Sequence, residues 1–299
     1  MATVETETRI SLTNILFLTD FSEPSEAALP FAITLARAYG AKLHGFHVLL
    51  PTPSAYTTPE LTVAAIEAEE ESAQEGLKRL ESQLAGIQHE STIERGIGVW
   101  PSLQRAIKED QIDLIVLGTH GRTGARKLLL GSVAEEIFRR SSIPVLTIGP
   151  DVRTRAHNDA RFHRVLFATD FSAHSLAAWP YAVSLAQENQ ARLVLLHVIP
   201  EDNISGEEML GSIPTASPLS RLNALLPDEA DVWCRPEAVV EYGDPAARIL
   251  EASRDRGVDL IVLGVRDAAG HLGAATHLGR TTAHKVVAHA PCPVLTVRG

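Results

Sequence analysis

The sequence predicts an α/β protein of two repeated α/β/α domains, each built on a five-stranded parallel sheet. Two observations carry that prediction. Apolar strand-like runs alternate with helical segments along the chain, and a parallel crossover needs such a helix. The alternation is also written twice. Asn14–Val48 reads NILFLTDFSEPSEAALPFAITLARAYGAKLHGFHV, and Arg164–Val198 reads RVLFATDFSAHSLAAWPYAVSLAQENQARLVLLHV. At a constant offset of 150, 17 of the 33 positions from Leu16 to Val48 are identical. Asp113 and Asp259 each precede Leu-Ile-Val-Leu-Gly, and Pro144 and Pro293 each precede Val-Leu-Thr. Three matches in one order define two homologous domains, 1–150 and 151–299, joined by the charged stretch near Pro150–Arg161.

In the first domain, Ile15–Thr19 is a short apolar strand, and Pro24–Tyr39 is a helix with apolar residues at helical spacing. Lys42–Leu49 is the second strand. A Pro-rich turn, PTPSAYTTP, leads to a long helix from Glu60 to Leu84, dense in Ala and Glu and read as a solvated cover. Gln88–Arg95 is the third strand and Trp100–Lys108 a helix. The run after Asp113 is β-branched and apolar, as a strand buried on both faces should be. Val133–Arg140 is a helix, and Pro144–Ile148 the fifth strand. In such a sheet ligands bind beyond the carboxyl ends of the strands, where the strand order reverses. Asp20, Val48 and the loop after Gly118 all fall there.

The chain has 299 residues, 45% of them apolar, enough for two full cores. Acidic side chains outnumber basic ones in both domains, 19 to 13 in residues 1–150 and 18 to 14 in 151–299. That balance argues against nucleic acid as a partner, since phosphate-backbone affinity needs basic patches. The small cluster Arg122, Arg126, Lys127 suits a triphosphate instead. Cys234 and Cys292 have no metal or disulfide spacing and fit a reducing compartment. No apolar run reaches a membrane span, and MATVETETR is acidic and polar, unlike a secretion signal. A cytoplasmic protein with no membrane partner is expected.

The chemistry concentrates in Asp113–Ser132, DLIVLGTHGRTGARKLLLGS. Strand, glycine loop and helix start follow one another there, with spacing G118-x2-G121-x9-G131-S132. Glycines let backbone N–H groups approach a phosphate, and a helix start adds unpaired donors and a positive dipole end. The loop is not a Walker A loop, because no G-K-[ST] follows. A tight turn is the bland alternative. Asp20 reads as a ligand group or as a helix N-cap for Ser22–Glu26. His120 reads as a phosphate contact or a solvent-facing loop residue. His47 and His197 read as satisfied core histidines, and Cys292 as a small core residue. His271, His277, His284 and His289 lack the spacing of a metal site. Gly96-Ile97-Gly98 is a lone G-x-G and carries little.

T-D-F-S at Thr19–Ser22, H-V at His47–Val48, D-L-I-V-L-G-T-H-G-R at Asp113–Arg122, I-P-V-L at Ile143–Leu146 and the glycine spacing together resemble the universal stress protein family, over nearly the whole chain as a tandem pair. The resemblance implies a Rossmann-like fold of the HUP, adenine nucleotide alpha hydrolase-like group. It implies ATP as the ligand, with Mg2+ as a candidate companion ion. Thr19 and Asp20 match positions bordering the adenosine, and Val48 the residue whose backbone meets adenine. Gly118, Gly121, Arg122, Gly131, Ser132 and Val133 match the loop and helix start around ribose and phosphates; His120 lies among them. It also implies pairing of the two domains within the chain, a homodimer as a further possibility, an unidentified protein partner, and a role as a nucleotide-dependent stress-response regulator or sensor. The rival readings are a slow ATPase and a protein-interaction module with a vestigial site. The second copy departs from the pattern. Asp267 stands where the first has Gly121, its loop is three residues longer, and Arg280–Thr281 fall opposite Gly131–Ser132. One intact nucleotide site per chain, in the first domain, is the expectation.

Overall fold

The computed structural model describes residues 10–51, 59–121, 130–152, 160–201, 216–227, 230, 234–266 and 281–299. Arg122, Gly124, Arg126, Lys127, Asp267, His271, His277 and Arg280 lie outside the described residues, as do most of the Pro-rich turn and of the charged stretch between the domains. Two compact units emerge, Ser11–Pro150 and Arg161–Gly299.

The first unit runs β1 (Asn14–Leu18), α1 (Glu23–Glu26), α2 (Leu29–Tyr39), β2 (Lys42–Leu49), α3 (Pro59–Gln83), β3 (His89–Arg95), α4 (Val99–Glu109), β4 (Leu114–Gly118), α5 (Ser132–Arg140) and β5 (Val145–Ile148). Its neighbours follow the order β3-β2-β1-β4-β5, every pair parallel. The second unit runs β6 (Arg164–Ala168), α6 (Ala173–Leu176), α7 (Trp179–Asn189), β7 (Arg192–Ile199), α8 (Pro218–Asn223), β8 (Glu237–Tyr242), α9 (Pro245–Asp255), β9 (Leu260–Val265), α10 (Thr282–His289) and β10 (Val294–Arg298). The same order recurs as β8-β7-β6-β9-β10, again all parallel. Each unit is therefore an open α/β sheet whose order reverses between its first and fourth strands. Ile15, Leu16, Phe17, Ile115 and Val116 have no exposed surface, as do Val165, Leu166, Phe167, Ile261 and Val262. Burying each such side chain contributes about 1.5–3 kcal/mol. The adjacent pair β1–β4, or β6–β9, is the rigid floor of each site. Among the described residues no helix is long and apolar enough to cross a membrane.

One expected helix is two. Pro24–Tyr39 breaks into α1 and α2, and Ala173–Leu176 is likewise separate from α7. Pro30 and Pro180 sit in the first turn of the second piece. Proline lacks the N–H that would continue the ladder, and its ring clashes with the carbonyl four residues back. Every other element of the first unit ends within one residue of its expected bounds. The reading of α3 as a cover whose charges need no partner also changes. Its own Ala73 and Leu80 are buried, and Glu70 pairs with Arg95 of β3.

The aspartate before each fourth strand is a clamp. Asp113 Oδ2 accepts from Thr13 N (2.6 Å), Thr13 Oγ1 (2.8 Å) and Asn14 N (2.9 Å), which fastens the start of β1 to β4. Asp259 does the same for His163 N and Arg164 N. Both cysteines are buried, and burial pushes the Cys292 thiol up, out of reach of thiolate chemistry.

Candidate functional site

At the carboxyl end of β1 the chain must turn sharply under α1, and the T-D-F-S motif builds that turn. Thr19 N continues the sheet by donating to Phe46 O at 3.0 Å. The Thr19 hydroxyl accepts from Phe21 N (2.9 Å) and from Ser25 Oγ (3.1 Å). Asp20 Oδ1 accepts from Ser22 N (3.0 Å) and Ser22 Oγ (2.5 Å). Ser22 is the N-cap of α1, accepting from Ser25 N. The cap expected of Asp20 thus belongs to Ser22, and Asp20 holds the cap in place. Phe21 has φ 59°, a left-handed conformation that costs a bulky residue about 1–3 kcal/mol. Packing offsets it: the ring lies 4.7 Å from that of His47, and a Cβ at Gly76 of α3 would sit 2.5 Å from it. Sequence reasoning assigned Phe21 no role. Its recurrence as Phe171, φ 61°, against His197 at 4.6 Å was the available signal.

The loop after β4 meets this turn. A Cβ on Gly118 would lie 2.7 Å from Pro24 O and 3.1 Å from Ser25 Cα, so this glycine is required by the approach of α1. A Cβ on Gly121 would lie 2.5 Å from Asp20 Oδ2, so here the loop backbone presses onto the carboxylate. His120 is half-buried, its Nδ1 2.9 Å from Thr119 Oγ1. Gly131 N donates to Thr119 O at 2.8 Å, returning the chain to the strand end. Gly131 is then the N-cap of α5, and it supplies no side-chain hydrogen bond. The first-turn N–H groups of Ser132, Val133 and Ala134 are left by their cap to another acceptor.

These segments enclose one cavity of about 230 Å³. Its lining includes Thr19, Asp20, Val48, Gly118, His120, Gly121, Gly131, Ser132 and Val133, so every expected site residue among those described comes together. His47 lines it as well. It is the buried histidine expected, its Nδ1 2.8 Å from Thr19 O, and it also forms a cavity wall. Asp20 is the one carboxylate among the described lining residues, which also include the start of α5 with its positive dipole end. Ile97 of the lone G-x-G is 90% exposed and takes no part.

The second unit has the same turn and a different loop. Asp170, Ser172, His197, Val198 and Gly264 line a cavity of about 450 Å³. Arg266 stands in its lining where the first unit has His120. The helix start differs in kind, because Thr281 caps α10 with its own hydroxyl, which accepts from His284 N at 3.2 Å. Burial raises the Asp170 carboxyl, but hydrogen bonds from the Ser172 hydroxyl, from Ser175 and from the Ser172 N–H outweigh it and leave its pKa lowered. A lowered folded-state pKa stabilises above the unfolded value, and that contribution is lost as pH falls through the folded one. Acid titration followed by circular dichroism should therefore show Ser172→Ala losing less stability between pH 5 and 3 (roughly the carboxylate window) than the unaltered chain.

Fold and crevice together define a class: tandem open α/β domains with a cavity at the strand-order reversal, the place where open sheets of this kind bind ligands. Two segments, 12–149 and 161–298, match the model of the Universal stress protein family. The chain belongs to that family. A universal stress protein of Mycolicibacterium smegmatis is 27% identical over 95% of this chain and 96% of that protein. One from Thermus aquaticus is 36% identical over 46% of this chain and 99% of its own length. Among solved structures, a universal stress protein from Archaeoglobus fulgidus covers 95% of this chain and 98% of its own, with TM-score 0.69 and 22% identity.

Proposed function

We propose that the first unit binds ATP in the β1–β4 crevice, and that occupancy makes the protein a nucleotide-dependent regulator or sensor in the stress response. One observation carries the reading. The start of α5, left uncapped by Gly131, opens into a cavity whose walls include the Asp20 carboxylate, the buried His47 and Val48. Helix-start N–H groups suit phosphate oxygens, while Asp20 suits ribose hydroxyls or an adenine amine. In this arrangement the Val48 backbone meets adenine, Thr19 and Asp20 border the adenosine, and Gly118, His120, Gly121, Gly131, Ser132 and Val133 surround ribose and phosphates. Mg2+ would need the phosphates as its main ligands, with Asp20 the one carboxylate among the described lining residues. Hydrolysis has less behind it. Asp20 Oδ1 accepts twice from Ser22, and His120 Nδ1 lies against Thr119, contacts that fix the turn and make no acid–base pair of the two. We place the protein in the cytoplasm, with a protein partner reading its occupied state.

The test is stoichiometry and identity. Nucleotide released from the purified chain should be ATP, and calorimetric titration of the emptied chain should give one tight site. Two sites of equal affinity, or no nucleotide binding at all, would refute the reading. ADP retained together with steady turnover that Asp20→Ala abolishes would replace it with the ATPase.

A further inference from the structure

The amino ends of the second sheet, opposite the crevices, hold a feature that the proposed function leaves unused. Arg164, Arg192, Arg235 and Arg256 line one cavity of about 340 Å³, with Glu237 the one carboxylate among the described residues of its lining. Each arginine is placed by the fold. Arg164 opens β6 and Arg192 opens β7, and the two are direct register partners. Arg235 precedes β8 with φ 44°, a strained backbone for a side chain of that size. Arg256 is the C-cap of α9. Its Nε donates to Glu237 Oε1 at 3.1 Å, and its Nη2 lies 3.9 Å from Glu241. Asp259 is spent on the backbone N–H groups of His163 and Arg164. Among the described residues Arg164, Arg192 and Arg235 make no ion pair. Like charges in direct register destabilise a sheet, so this arrangement carries a cost that an anion would relieve.

The first unit shows that the fold does not demand it. On the same scaffold the register pair is Asn14 and Lys42, and Lys42 is neutralised by Glu90 at 2.6 Å. The position of Arg256 is held by Asp110, 4.0 Å from His44 Nδ1. The basic cluster is thus private to the second unit, in a domain whose overall charge is acidic. Guanidinium forks converging in a concave, small-molecule-sized space favour bidentate recognition of phosphate oxygens.

We propose that Arg164, Arg192, Arg235 and Arg256 form a second anion site, for a compact ligand carrying a diphosphate group. A free ion fits the concave geometry; a phosphorylated lipid headgroup shares the chemistry, and the test separates the two. Inorganic pyrophosphate is titrated calorimetrically into the full chain at low salt. A site that survives Gly121→Asp in the first unit is expected, with Kd rising steeply as salt is added. Arg192→Gln and Arg235→Gln, both at exposed positions, should each weaken it about tenfold. Arg192→Lys, which keeps the charge without the fork, should fall between. The proposal is overturned if the arginine variants bind as the parent does, or if binding disappears in Gly121→Asp. It is also overturned if vesicles bearing a phosphorylated inositol headgroup capture the chain while free pyrophosphate does not bind.

Discussion

A Gly121→Asp chain is expected to lose ATP affinity about 100-fold, close to 2.7 kcal/mol at 25 °C. The substitution writes into the first loop the residue that the second copy carries at Asp267. Two effects act in the same direction. The Cβ alone would stand 2.5 Å from Asp20 Oδ2, so either loop or carboxylate must move. The new charge then faces both Asp20 and the polyphosphate. At an effective dielectric of 20, one like-charged pair 4 Å apart costs about 4 kcal/mol, so the expected loss asks for only part of one such repulsion. Gly121→Ala isolates the steric share and should weaken binding by no more than about tenfold. Calorimetric titration of the two variants separates the terms. Equal affinities for Gly121→Asp and the parent would mean that the phosphates lie elsewhere.

Gly118→Val is expected to destabilise the first unit by about 3 kcal/mol through overpacking. The atoms in its way are backbone, Pro24 O at 2.7 Å and Ser25 Cα at 3.1 Å, so no side-chain rotation makes room. Helix α1 must lift, and it carries Ser22 and Ser25, which fasten Asp20 and Thr19. Calorimetric melting should show a fall of roughly 10 °C in the first unit's transition, with ATP affinity weakened as well. The twin site is tighter, since a Cβ on Gly264 would overlap His174 O and Ser175 Cα, so Gly264→Val should leave the second unit unfolded. An unchanged melt for Gly118→Val would remove the packing role given to that glycine.

The sequence located the parts of the site better than it assigned their work. Asp20, Val48 and the glycine loop were legible because parallel sheets put their ligands at strand ends, and strand ends follow from hydrophobic runs and turn residues. Gly118 was read as a phosphate contact; its hard constraint is the backbone of α1, which lies beyond any local pattern. Asp20 was weighed as a cap, and the cap is Ser22, since whether a carboxylate caps a helix or steadies its neighbour depends on the turn's dihedrals. His47 was read as a core histidine rather than a ligand. A buried residue beside a crevice touches both, and burial patterns along one strand do not show which.

Alone, the sequence determined the doubled α/β architecture, the bounds of the first unit's elements within a residue apart from the helix that breaks before Pro30, and the divergence of the two loops, because apolar periodicity and internal repetition are properties of the chain's own order. Tertiary structure decided what meets across it. It set Phe21 between His47 and Gly76, left the start of α5 uncapped while Thr281 closes α10, and gathered four arginines from three strand starts and a helix end. Those juxtapositions join residues far apart in sequence, and only packing brings such residues to one place.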